Sequence, residues 1–391
     1  MGIAAILSIG GALAIAAANG ANDNGKGVAT LIGGGVMSAR RALRIGHLAT
    51  LAGAIVSILV ARRMMNVFQG SGLLPDDLAG QLSVMTIVAI AAAVTVALAT
   101  VFKFPISTTH ALTGALVGVG LGATGSVSWS GLATKFMMPL LFSPIAAAVL
   151  AALSYYLLHK FRLAMSVNEE TCICVGERRE WVPVTDSITD TVAQRSAGSS
   201  NVRSGELGFA NTPVELRSIS LGIGKADECR QRYVGKVLGI SAATLLDGIH
   251  VVSATMLSAA RGMNDTPKLA ALAVGAVAWG TSGPAVGLVA AAMLTGGVLA
   301  AKRVTRTMSR DITEMNAGSG ATANFVAATL VILASFFAMP VSTTHVTCGA
   351  LFGIGAVNGR AHWRTVGSIL LAWLVTLPVA GAIAALLATA L

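Results

Sequence analysis

Four stretches of this 391-residue chain carry no charged residue: Val84 to Phe102, Phe136 to Leu158, Leu269 to Ala301 and Val366 to Leu391. About 20 apolar residues in a helix span the hydrocarbon of a bilayer, where every backbone polar group must be bonded internally. The third run is long enough for two spans, with Pro284 as a break between them. Adding Ile3 to Ala18, Ile45 to Ala61 and the segments around Ser241, Phe325 and two Pro-x-Ser-Thr-Thr-His sites predicts about ten to twelve membrane-embedded segments. The expected fold class is an all-α polytopic membrane protein. Charged residues make up 11% of the chain, against about 25% in soluble proteins.

The formal net charge of +10 reads as Lys and Arg at cytoplasmic span ends, with no nucleic-acid partner. Arg40-Arg41-Arg44, Arg62-Arg63 and Lys302-Arg303-Arg306-Arg310 fit that use, although the first two clusters flank one candidate span and so leave its orientation open. No Lys or Arg precedes Ile3 to Ala18, which is read as a retained helix and not a cleaved leader.

One segment differs. Lys160 to Lys236 holds 11 basic and 10 acidic residues and the Ser196 to Ser204 run, as in a linker or small extramembrane module. It separates a first membrane repeat (1–160) from a second (237–391), with the polar loop as 161–236. Cys172, Cys174 and Cys229 lie in it and are expected to be reduced thiols; Cys-x-Cys alone lacks zinc-site spacing, and no metal or cofactor is expected. Seven acids remain elsewhere: Asp23, Asp76, Asp77, Asp247, Asp265, Asp311 and Glu314.

The flanking parts repeat. Pro105 to Gly120 and Pro340 to Gly355 are identical at ten of sixteen positions. A second pattern, Gly-x-Asn-Asp-x-x-Lys-x-x-Ala, occurs as Gly20, Asn22, Asp23, Lys26, Ala29 and as Gly262, Asn264, Asp265, Lys268, Ala271. Duplicated halves are a mark of secondary transporters, which bind substrate where the repeats meet.

In the first motif proline begins a helix, and Ser107, Thr108, Thr109 and Ser342, Thr343, Thr344 put hydroxyls beside its unpaired N–H groups. A helix start of this kind inside a membrane favours an anion. In the second motif, Asp and Lys three residues apart share a helix face, and intramembrane charges are functional candidates by default. Gly25 and Pro267 suggest interrupted helices. His110 and His345 are candidates for a proton relay, or each donates one hydrogen bond to a backbone carbonyl; the structural role is preferred. Asp247, one turn before His250, is either a third intramembrane carboxylate or exposed at a short turn.

These four motif copies, in order across both halves, resemble the inorganic phosphate transporter family, whose members carry Gly-x-Asn-Asp and Pro-x-Ser-Thr-Thr-His in each half around a polar cytoplasmic loop. The resemblance implies two inverted repeats with re-entrant or broken helices and a phosphate held between the two Ser-Thr-Thr helix starts. It implies that Asn22, Asp23, Ser107, Thr108, Thr109, Asn264, Asp265, Ser342, Thr343 and Thr344 line the substrate and coupling-ion sites, with the termini outside and the loop inside. The expected activity is secondary symport of inorganic phosphate through the cytoplasmic (inner) membrane, in the lipid bilayer, with a homodimer as the assembly considered. Sulfate is the runner-up substrate, a passive anion channel a third reading, and an intramembrane enzyme using Asp23 and Asp265 a remote one.

Many sodium-coupled members are similar in carrying Asn where this chain has Lys26 and Lys268. Two carboxylates, two lysines and two helix starts of about +0.5 each come near neutrality with a monovalent phosphate and no metal cation. Lys26 and Lys268 are therefore expected to stand in for sodium, with a proton as the coupling ion; the alternative sends both side chains to the membrane interface.

Overall fold

A computed structural model describes residues 3–167, 171–182, 214–225, 234–274 and 282–389. The chain forms two compact units, Met1–Phe161 with Leu246–Leu391, and Arg162–Leu245.

The larger unit is helical. Its first half runs α1 (Ile3–Asp23), a 3-10 turn (Lys26–Val28), α2 (Ala29–Gly33), α3 (Ala39–Val56), α4 (Ala61–Phe68), α5 (Leu82–Val101), α6 (Thr108–Thr124) and α7 (Trp129–Ala164). Its second half runs α8 (Ala242–Ala270), α9 (Ser282–Ala300), α10 (Lys302–Arg306), α11 (Ala317–Phe336), α12 (Thr343–Asn358) and α13 (Trp363–Ala388). Eight helices among the described residues are long and apolar enough to cross a membrane. The 17 residues of α6 and the 16 of α12 fall short of a full crossing. The protein is an all-α polytopic membrane protein in this unit.

Two local expectations need correction. Among the described residues, the run Leu269 to Ala301 supplies one membrane-length helix, α9: α8 ends at Ala270, residues 271–274 form a turn, and Pro284 sits in the first turn of α9, where its missing N–H is tolerated. The interruption also differs between the halves. The first motif breaks after Asp23, where a Cβ on Gly25 would lie 1.7 Å from the Thr305 hydroxyl, so only glycine admits that approach. The second stays helical through Pro267 and unwinds later, with Leu272 N–H reaching Leu269 O and Ala273 N–H reaching Ala270 O in 3-10 fashion. Asp247 is half-buried in the opening turns of α8.

The halves exchange packing partners. Cβ atoms on Gly114 and Gly118 of α6 would lie 2.2 and 2.0 Å from the carbonyls of Leu377 and Gly381 in α13. Gly349 and Gly353 of α12 are as close to Pro144 and Ala148 of α7. Likewise Gly20 of α1 lies on Met293 of α9, and Gly262 of α8 on Thr50 of α3. Small residues four apart let backbones touch, which replaces the hydrophobic drive that lipid removes.

The smaller unit carries an antiparallel sheet in the order β2-β1-β3, from β1 (Thr171–Val182), β2 (Val214–Lys225) and β3 (Val234–Ser241). Period-two alternation buries Cys172 and Cys174 on one face and exposes Ile173 and Val175 on the other. Cys172 is a free thiol, whereas Cys174 is disulfide-bonded, which corrects the expectation of reduced thiols there. Spacing could not separate two cysteines that share a face. Cys229 and the Ser196 to Ser204 run lie outside the described residues.

Candidate functional site

Both Ser-Thr-Thr sequences begin helices. After α5 and α11 the chain reverses through left-handed Lys103 (φ 65) and Ala338 (φ 52), then runs without regular structure past Pro105 and Pro340. Ser107 caps α6 by accepting from His110 N–H at 3.0 Å, and Ser342 caps α12 by accepting from His345 N–H at 3.2 Å. The serine oxygens are thus committed to the helix starts, leaving the threonine hydroxyls to face the charges.

Those threonines work in two layers. Thr108 donates to Asp23 Oδ2 at 3.2 Å and Thr343 to Asp265 Oδ2 at 3.1 Å, each within its own half. The next threonine is bonded across the halves: Lys26 Nζ donates to Thr344 Oγ1 at 2.7 Å, and Lys268 Nζ to Thr109 Oγ1 at 3.0 Å. Each lysine also pairs with its own motif's carboxylate, Lys26 with Asp23 and Lys268 with Asp265 at 3.3 Å. Carbonyls of the pre-helix segments complete the shell, Ile106 O for Lys26 at 2.9 Å and Val341 O for Lys268 at 2.7 Å. Thr109 donates to Val341 O at 3.2 Å. Neither lysine reaches an interface; Lys26 is 0% and Lys268 1% exposed. Removing such ions from water costs several kcal/mol apiece unless partners are complete, which is why each ammonium has three.

The asparagines serve differently from the threonines. Asn22 Nδ2 donates to Thr100 Oγ1 at 2.9 Å and to Phe104 O at 3.1 Å; its Oδ1 is buried without a partner. Asn264 Nδ2 donates to Asp265 Oδ1 at 3.0 Å, and its Oδ1 accepts from Ser335 at 3.3 Å. Both tie the motif helix to the end of α5 or α11, beside the turn that leads to the helix start. The histidine rings lie together, with centroids 4.4 Å apart. His345 stacks on Trp373 at 3.8 Å and has Nδ1 3.4 Å from Leu140 O; Trp373 Nε1 donates to Pro105 O at 3.0 Å. His110 Nδ1 and His345 Nε2 have no partner.

Two residues escaped the sequence reading. Asn19 Nδ2 donates to Asp23 Oδ2 at 2.8 Å and to Thr108 Oγ1 at 2.9 Å. Arg261, at the matching position before Gly262, lies 3.4 Å from Asp23 Oδ2 through Nη2, yet neither Nη atom makes a hydrogen bond. It is 1% exposed. A tally of acids alone hid it; an arginine inside an apolar helix is itself a signal. Its charge also corrects the electrostatic sum, since three cations face two carboxylates. Among the described residues no group of three His, Cys, Asp or Glu is placed to hold a metal.

Residues 19–384 match the family profile described as the Phosphate transporter family. The chain is 30% identical to the inorganic phosphate transporter 2-1, chloroplastic, of Arabidopsis thaliana, over 93% of this chain and 68% of that protein. It is 27% identical to a Pyrococcus furiosus protein named as a phosphate permease, over 97% and 94% of the two chains. Among solved structures it is similar to "The sodium-dependent phosphate transporter", with a TM-score of 0.70 and 17% identity over 99% of this chain and 98% of that one, a likeness of fold.

Proposed function

The chain belongs to the phosphate transporter family, and we propose that it is a proton-coupled symporter of inorganic phosphate in the cytoplasmic membrane. It is a transporter and not an enzyme. Substrate is taken up between the Thr108-Thr109 and Thr343-Thr344 helix starts, with Asp23, Asp265, Lys26 and Lys268 as the charged lining and Asn22 and Asn264 as its braces. The observation that carries this reading is the crossed pairing of Lys26 with Thr344 and Lys268 with Thr109. A bound oxyanion offers those ammonium groups and hydroxyls better acceptors than they find in each other, so its arrival changes contacts on both halves at once. That is the property an alternating-access site between inverted repeats needs.

Coupling follows from the same contacts. Both carboxylates already hold an ammonium group, so positions a sodium ion would neutralise are occupied, and a proton carried by Asp23, Asp265 or the phosphate is the simpler partner. Phosphate can donate a hydrogen bond to a carboxylate where sulfate cannot. The test is labelled phosphate uptake into proteoliposomes with choline replacing sodium. Accumulation above the external concentration, driven by an inward proton gradient and resistant to excess sulfate, is expected. Strict sodium dependence would overturn the coupling, sulfate competition the substrate, and mere equilibration the active mechanism.

A further inference from the structure

Arg261 is the largest fully buried side chain in the described residues, and its two terminal nitrogens make no hydrogen bond. Leaving buried donors unmade is costly, most of all on a charged group. Its ion-pair partner among the described residues, Asp23 Oδ2, is 3.4 Å away and already accepts from Asn19 and Thr108. The guanidinium has donors in a planar fork, a shape that matches two oxygens of a tetrahedral oxyanion. It lies at the junction of the halves, on α8 but turned to the carboxylate of the first repeat.

We propose that Arg261 is a substrate-binding residue that grips two oxygens of the anion and sets the site for its doubly charged form. The proposal rests on the site assigned under Proposed function and goes beyond it in naming the ionic species. Two carboxylates against Lys26, Lys268 and Arg261 leave one net positive charge, and two helix starts add about +0.5 each. A dianion brings that total to neutrality, whereas a monoanion leaves a buried surplus. The monovalent phosphate expected from the motifs alone is thus replaced by hydrogen phosphate once the third cation is counted. Asn19, the counterpart of Arg261 in the first half, carries no charge, so the extra unit comes from one half only.

The charged and titratable groups around Arg261 are Asp23 and Lys26 of the first motif, Asp265 and Lys268 on its own helix, and Cys348 of α12; His345 faces Lys26, with His110 beside it. Sulfate, a dianion throughout, serves as the control for any pH effect that does not come from the ligand. Calorimetric binding of inorganic phosphate and of sulfate is measured on the full chain in detergent without sodium, on both sides of neutral pH. Phosphate affinity should rise with pH as the dianion fraction rises, while sulfate, which cannot donate to a carboxylate and so binds far more weakly, should show no change with pH. Arg261→Gln should weaken phosphate binding by roughly tenfold or more and abolish the rise. Arg261→Lys should keep the rise, because it keeps the charge, while losing affinity with the fork. Wild-type affinity and pH profile in Arg261→Gln would overturn the proposal, and so would phosphate affinity that falls with pH in the unaltered protein. If Arg261→Gln does not fold, the unaltered protein and Arg261→Lys still decide. Sulfate binding that needs Arg261, with no phosphate binding, would overturn the phosphate reading and leave Arg261 its role. No binding of either anion would overturn both.

Discussion

The Asp23 and Asp265 half-sites come from the same ten-residue pattern, yet they hold their carboxylates differently. Asp23 ends α1, just before the break, and is met by Lys26, Arg261, Asn19 and Thr108. Asp265 lies in a continuous helix and is met by Lys268, Asn264 and Thr343. Two cations therefore serve the first carboxylate and one the second. The repeats preserve hydroxyls and lysines while electrostatics diverge, so a motif can be duplicated without its two copies doing the same work.

Removing the lysines gives the largest contrast. Lys268→Met leaves Asp265 with no cation within 4 Å among the described residues and should lower stability by about 3–5 kcal/mol. Lys26→Met leaves Arg261 beside Asp23, so its cost should be distinctly smaller. Thermal melting in detergent measures both, and equal or reversed costs would break the comparison. A smaller effect is expected from Thr108→Val and Thr343→Val, each keeping shape and deleting one hydroxyl. Phosphate binding should weaken by about 1–3 kcal/mol in both while folding is retained. The loss should be greater for Thr108, whose oxygen also accepts from Asn19; calorimetry that finds Thr343 the more sensitive would reverse the assignment. Smallest is Glu314→Gln at the exposed pair with Arg360, where both side chains are over 60% accessible. It should change stability by no more than about 1 kcal/mol, and a drop rivalling Lys268→Met would mean that burial is not what makes the site's charges matter.

Much of this arrangement is written locally. Uncharged runs mark spans because hydrocarbon tolerates nothing else, and Pro-x-Ser-Thr-Thr marks a helix start because proline and a hydroxyl cap act within one turn. Reach defeats such reading. Lys26 and Thr344 are 318 residues apart, and no window around either encodes the crossed bond. Arg261 stands one residue outside the Gly-x-Asn-Asp motif, where a pattern built on carboxylates does not reach. Pro267 reads as a break, yet α8 runs through it and ends only at Ala270. In the polar segment, Cys172 to Val175 alternate in burial, but the four residues are all apolar, so the sequence shows no polar–apolar alternation to set against its linker-like composition.

The exchanged glycine contacts have a consequence for how the chain is made. During synthesis α6 emerges long before α13, the helix whose carbonyls its glycines must meet. Until then its seam of bare backbone faces lipid or the insertion machinery, and the first Ser-Thr-Thr helix start has no wall behind it. Assembly of the earlier half is thus gated by the arrival of the later one. A ribosome that stalls before Trp363 leaves a chain with its inserted spans but without a finished half-site, a natural substrate for membrane quality control.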